Sequence, residues 1–281
     1  MKGTGRGRTA MVAAAGISLG LLSGCSPTSG PVAAPSVSAA STSAPAASPP
    51  GPAASTPAPA ASTPAPVPAT TTCLRVVVLG YSVQHRAISA CERGTPAGVA
   101  LLVVGNLHGD EQLGLGVVAR LRAMPVPAGV DLWLVSTANP DGTTARRRTN
   151  AHGVDENRNF PYHWTFSATS GPRVLSEPET RALATFLKAY RPHTVLIFHS
   201  PLDAVDYSEG ADPAAVDYLA AATGFPARTL GARPGELSGW YNDQPWHPSA
   251  ITFEFARTAT SAQLDRVSRA VLKLATWRRH P

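Results

Sequence analysis

The chain has 281 residues, 43% hydrophobic and 15% charged, with three cysteines and a formal net charge of +6. Three cysteines are too few for a disulfide-built scaffold. Leaving out Lys2, Arg6 and Arg8 at the start lowers the charge to +3, too mild to argue for a nucleic-acid partner.

The first 24 residues read as a targeting segment: a basic start, then the apolar stretch Ala10 to Leu22, too short to span a bilayer comfortably. It closes on Leu22-Ser23-Gly24-Cys25, which resembles the lipobox of bacterial lipoproteins. The resemblance implies cleavage before Cys25, acylation of that cysteine and anchoring on the outer face of the cytoplasmic membrane. An ordinary signal peptide with an incidental cysteine is the alternative, and the product is then secreted. Residues 25–72 follow, from Ser26 on nearly all Ala, Pro, Ser and Thr with no charge. Such a composition cannot bury enough apolar surface to offset chain entropy, so a disordered, proline-stiffened linker is expected. Residues 73–281 are enough for one well-packed domain.

Within that domain, Leu74 to Leu79 and Arg86 to Ala90 flank a turn centred near Ser82 and read as a hairpin. Cys73 and Cys91 lie equally far from that centre. In an oxidising compartment they are expected to pair across its open end, two free buried thiols being the alternative. Gly98 to Val104 is a short apolar run rich in β-branched residues, read as a buried strand. Gly105 and Gly109 punctuate the following turn, and a helix pattern starts near Glu111 with Leu113, Val117, Val118 and Leu121. Asp131 to Ser136 is a second core strand, and it runs into a long polar loop from Asn139 to Arg173. Loops of that length are commonly functional. A helix from Glu177 to Tyr190, strands over His193–Ser200 and Ala250–Ala256 with a helix between them, and a helix from Ala262 to Trp277 complete the pattern. It predicts a single α/β domain with a mixed central sheet and helices on both faces.

His108 and Glu111 form an H-x-x-E pair just after the first buried strand. That spacing can bring an imidazole and a carboxylate onto one metal ion; hydrolytic zinc takes two His and one Glu and keeps a fourth position open. Strand C-terminal ends are where open α/β folds build their sites. The bland alternative is a turn whose His and Glu only cap a helix. His199 ends another apolar strand, a place where histidine is more often a satisfied core residue. Glu254 is a lone acid in an apolar strand, costly to ionise without a partner unless it turns to solvent. The run Arg146-Arg147-Arg148 has a solvated loop as its ordinary reading.

Taken together, three motifs carry a resemblance. Gly105-Asn106-Leu107-His108-Gly109-Asp110-Glu111, Asn139-Pro140-Asp141-Gly142 and Gly153-Val154-Asp155-Glu156-Asn157-Arg158-Asn159-Phe160-Pro161 follow the order seen in zinc carboxypeptidases of peptidase family M14. The segment Gly80 to Ile88 also resembles that family's first hairpin. Within the family the chain is most similar to bacterial murein peptide amidases, through the His-Gly-Asp-Glu form of the motif, the compact length and Gly235 to Trp240. The resemblance implies a zinc carboxypeptidase-like fold and one zinc ion on His108, Glu111 and His199. It implies Glu254 as general base and then acid, and Arg148 as oxyanion stabiliser. Asn157 and Arg158 match the pair that holds the substrate's terminal carboxylate, a task suited to the planar guanidinium fork. Tyr241 is a candidate for substrate contact, although it stands closer to Glu254 than the family's tyrosine does. The loop from Asn242 to Ser249, with Trp246 and His247, is the other candidate for shaping the pocket. Glu156 stands where the family more often has an apolar residue, so its charge is read either as tuning specificity or as facing water.

These readings converge on an exported zinc metallopeptidase that cuts a peptide or amide bond near a free carboxylate, in peptidoglycan-derived peptides. A deacylase of N-acyl amino acids, of the aspartoacylase branch, shares the metal motif, but the second and third motifs and export favour the peptidase. A cell-wall-binding lipoprotein without catalysis is the third reading, and the intact His108, Glu111, His199 and Glu254 argue against it. The expected partners are a peptide substrate and, through Cys25, the membrane. No nucleic acid is expected, and the chain is read as a monomer.

Overall fold

The computed structural model describes residues 72–207 and 210–277. The targeting segment, the Cys25 anchor and the spacer up to residue 71 lie outside the described residues.

The chain begins with an antiparallel hairpin, β1 (Arg75–Tyr81) and β2 (Ala87–Gly94). It then alternates through β3 (Val99–Val104), α1 (Leu113–Ala123), β4 (Val130–Val135), the short α2 (Pro140–Ala145), α3 (Pro178–Tyr190) and β5 (Thr194–His199). The last part is β6 (Ala204–Asp206), α4 (Pro213–Thr223), β7 (Ala227–Arg228), α5 (Leu237–Asn242), β8 (Ser249–Glu254) and α6 (Ser261–Trp277). The strands form one eight-stranded mixed sheet in the order β1-β2-β4-β3-β5-β8-β6-β7. Its central four, β4-β3-β5-β8, run parallel.

Parallel strands between two helical layers must be apolar on both faces, which explains their near-continuous runs of Val, Leu and Ile. Successive side chains point to opposite faces. Leu101, Val103, Leu132, Leu134, Leu196 and Phe198 therefore share one core with residues of α1, α4 and α6. Leu102, Val104, Trp133, Val135, Val195 and Ile197 join the other, beneath α3 and α5. Each fully buried side chain of this kind contributes about 1.5–3 kcal/mol relative to exposure, so the central strands form a rigid base. The C-terminal ends of β3, β5 and β8 lie side by side at one end of the strands, in the middle of the sheet, and His199 stands directly beside Glu254 in the β5–β8 register.

The disulfide between Cys73 and Cys91 is present, with Cα atoms 5.4 Å apart, but the hairpin register differs from the expected one. The turn spans Ser82 to Arg86 and pairs Tyr81 with Ala87, so the hairpin centres near residue 84 and Val76 is the strand partner of Cys91, with a one-residue bulge between Val78 and Gly80. Cys73 precedes β1 and reaches Cys91 from outside the ladder. The first helix starts at Leu113 with Gln112 as its N-cap, two residues past Glu111 and so close to where it was expected. Glu111 instead belongs to a turn in which its N–H donates to His108 O at 3.1 Å, which leaves its carboxylate free to face the histidine. The long loop is partly ordered into α2 and a 3-10 turn, Glu156–Arg158.

Candidate metal centre and active cleft

The motif glycines bring the site loops together. A Cβ on Gly109 would stand 1.9 Å from the carbonyl carbon of Gly142, so only glycine lets the His108 loop meet the Asn139–Gly142 turn. Asn139 caps α2 by accepting the Gly142 N–H at 2.7 Å, and its amide donates to Arg148 O at 3.3 Å. The second motif is thus scaffolding: it fixes the loop that carries Arg148 against the loop that carries His108.

His108, Glu111 and His199 converge, all three buried. Glu111 Oε2 lies 2.9 Å from Nδ1 of each histidine, and the two Nδ1 atoms are 3.1 Å apart. Ligands on tetrahedral zinc at 2.0–2.1 Å stand roughly 3.3 Å from one another, close to this triangle. Two ring nitrogens and a carboxylate oxygen crowded into one point form the donor set of a divalent cation, so the residues fit zinc. These are the described His, Cys, Asp and Glu side chains that meet closely enough to hold a metal.

Asp155 completes the arrangement. His108 Nε2 donates to Asp155 Oδ1 at 3.0 Å, which leaves Nδ1 as the ligand atom and fixes the ring. Asp155 Oδ1 also accepts the Asn157 N–H at 3.0 Å, and Oδ2 accepts Arg148 Nε at 2.9 Å. Burial pushes the Glu111 and Asp155 carboxyls up, but the imidazole hydrogen bonds outweigh it and hold both below the ordinary carboxylate range. Sequence reasoning placed Asp155 inside a motif without giving it a task. The available signal was chemical: a ligand histidine needs an acceptor for its second nitrogen.

Arg148, Asn157, Arg158 and Glu254 line one open cleft with the three ligands, about 150 Å³ in volume. Glu254 is 8% exposed, and its Oε2 accepts the Leu202 N–H at 3.3 Å. Burial raises its carboxyl above the ordinary glutamate range, and nearby His199 offsets part of that. The Arg148 side chain is 42% exposed and directs Nη1 to Glu111 Oε1 at 3.0 Å. Asn157 Oδ1 accepts the Leu237 N–H at 2.9 Å, tying the turn to the start of α5. Arg146 ends α2 in a left-handed conformation, and it and Arg147 are exposed.

Tyr241 is not at the cleft, which corrects its reading as a substrate contact. It is fully buried, and its hydroxyl donates to Pro192 O at 2.7 Å. Helix α5 turns it inward, where its ring packs against Trp246. His247 lines a separate small cleft with Asp212 and Asn242. Glu156 neither faces water nor reaches the cleft: it is 0% exposed.

A family model for zinc carboxypeptidase matches residues 126–269, a span that includes His199 and Glu254. Murein peptide amidase A of Escherichia coli is 30% identical over 199 residues, 64% of this chain and 80% of the relative. The crystal structure of the murein-tripeptide amidase of Escherichia coli O157 superposes with a TM-score of 0.59 at 27% identity, covering 73% of this chain and 92% of that one. Carboxypeptidase A of Helicoverpa armigera shares the fold, with a TM-score of 0.60 at 18% identity over 73% of this chain and 68% of that one. The metal triad, the cleft and these similarities together place the chain in the zinc carboxypeptidase family, as a zinc-dependent hydrolase.

Proposed function

We propose that the protein is an exported metallopeptidase that hydrolyses a peptide or amide bond beside a free carboxylate in peptidoglycan-derived peptides. The observation that carries this reading is the convergence on one cleft of a zinc donor set, an acid–base carboxyl (Glu254) and a carboxylate anchor (Asn157 with Arg158). Similarity to murein peptide amidases supports the wall-derived substrate. The targeting segment and Cys25 support export and anchoring.

Zinc held by His108, Glu111 and His199 supplies Lewis acidity and makes water a nucleophile near neutral pH. Arg158 pairs with the substrate carboxylate through its fork while Asn157 adds a hydrogen bond, so the bond to be cut is fixed relative to Glu254. Glu254 accepts a proton from the attacking water and returns it to the leaving nitrogen. Its burial suits both halves, because a base with a raised pKa holds the proton better after taking it. Arg148, turned onto Glu111 and Asp155, carries the positive charge available for the developing oxyanion.

The test measures metal content and turnover on the purified protein. It sets a wall-derived tripeptide beside blocked C-terminal dipeptides, with Glu254→Gln as control. Bound zinc, preference for the wall peptide, and a Glu254→Gln variant that keeps zinc and loses about 10²–10⁴-fold in kcat support the reading. An active Glu254→Gln enzyme refutes the mechanism, and cleavage of acylated amino acids alone moves the chain to the deacylase branch. Labelled palmitate entering the wild type but not Cys25→Ser is expected of the anchor.

A further inference from the structure

Glu156 lies in the turn that organises the site. Asp155 before it holds His108, and Asn157 and Arg158 after it line the cleft. Its own side chain is 0% exposed, and neither carboxyl oxygen has a hydrogen-bond partner among the described residues.

The surroundings explain why it goes unpaired. Four acidic side chains lie around it: Asp155, Asp141 of α2, and Glu177 and Glu179 at the start of α3. Each of these takes donors of its own. Asp141 accepts from Ser82 Oγ, Gln84 N and Arg86. Asp155 accepts from His108, Arg148 and Asn157 N. Glu177 accepts from Asn150, His152 and Ser176, and Glu179 from Val83 N and Asn150. The donors that hydrogen-bond within the cluster are thus committed to its other members, and Arg158, whose charge is felt at Asp155, turns its guanidinium to the carbonyl of Asn157. A fifth negative charge would sit dry and unpaired among four, which a protein avoids by keeping the group neutral.

We propose that Glu156 is a positioning residue that works as a neutral carboxylic acid, and that its proton lets the Asp155–Arg158 turn lie against the acidic cluster. Loss of that proton drives the turn away from the cluster, and with it the His108 support and the substrate anchor. Burial, reinforced by the four neighbouring carboxylates, raises the Glu156 carboxyl well above the ordinary glutamate range, in keeping with this geometry. The anchoring role of Asn157 and Arg158 rests on the proposed function; the neutral buried acid does not.

Because the native group holds a proton that the unfolded chain releases, the linked stability is fully present below the unfolded glutamate value, about 4.3. It is lost as pH rises toward the native value. The experiment compares the zinc-loaded full chain with Glu156→Gln, which keeps the shape and cannot ionise. Glu156→Met, apolar and of similar length, covers the case in which a buried amide destabilises the fold. Melting temperature, zinc affinity and KM for a peptide with a free C-terminal carboxylate are followed from pH 5 to 9. The melting difference should grow with pH in favour of the variants, and the wild type alone should show rising KM and weakening zinc affinity on the alkaline side. A melting difference that does not change with pH overturns the neutral acid. Parallel KM and zinc profiles in all three proteins overturn the positioning role. A wild type that cleaves no peptide at any pH sinks the peptidase reading, while melting and zinc affinity still decide this one.

Discussion

Asp155→Asn tests whether the site depends on the carboxylate behind His108. The aspartate satisfies three donors at once: His108 Nε2 at 3.0 Å and Asn157 N at 3.0 Å on Oδ1, and Arg148 Nε at 2.9 Å on Oδ2. Asparagine has the same shape but one acceptor oxygen. With that oxygen on His108, its NH2 faces Arg148 donor to donor, and a charged hydrogen bond of about 1.5–3 kcal/mol is lost. Flipped, it faces Nε2 with a donor and drives the imidazole proton onto Nδ1, the ligand atom. Either way the loss of negative charge lowers the basicity of His108. Substituting such supporting groups typically weakens metal affinity about 10–100-fold, which is about 1.4–2.7 kcal/mol. Chelator competition measures it directly, with Asp131→Asn as control, since Asp131 lies near the start of β4, at the opposite end of the strands from the site. Zinc affinity and kcat/KM both within twofold of wild type would refute the argument.

Tyr241→Phe should leave kcat/KM within twofold and cost about 1 kcal/mol of stability through the Pro192 bond. A tenfold fall in kcat/KM would return this residue to the substrate. Asp141 is pushed up by burial, but Gln84 N, Ser82 and Arg86 depress it overall. Its contribution, about 2 kcal/mol from charged hydrogen bonds, is therefore present above the unfolded aspartate value and fades as pH falls below about 4. The gap between wild type and Asp141→Asn in urea melts should close in acid, and a gap constant with pH would contradict that. Cys91→Ser opens a link between residues 18 apart and should lower stability by about 3 kcal/mol, read from urea midpoints without reductant. Identical midpoints would argue against the pairing.

The central strands were legible because burial on both faces leaves apolar runs that little else explains, and the ligands because they stand at the ends of those runs. His108, Glu111, His199 and Glu254 meet as the spacing and the resemblance implied. The residues that escaped depend on side-chain direction. Tyr241 sits in a six-residue helix, too short for periodicity to show which face is buried. Glu156 carries a charge symbol, and composition argues that charge seeks water; only the packing shows it buried beside other carboxylates. The hairpin centre lies near residue 84 and not near Ser82, because Ser82 opens the turn that Arg86 closes, and a single serine does not mark which position of a turn it takes. The two- and three-residue strands β7 and β6 are too short to leave a pattern.

The two histidines of the triad lie 91 positions apart in the chain, at the ends of neighbouring strands β3 and β5. An ion gripped by both is therefore a clasp across the seam of the sheet as well as a reagent. At free zinc a thousandfold above its dissociation constant the clasp adds about 4 kcal/mol, felt at β3 and β5 and hardly at the β1–β2 hairpin. Stripping the metal should therefore speed amide exchange along that seam first. The lifetime of the fold, as well as its chemistry, would then depend on the same three side chains.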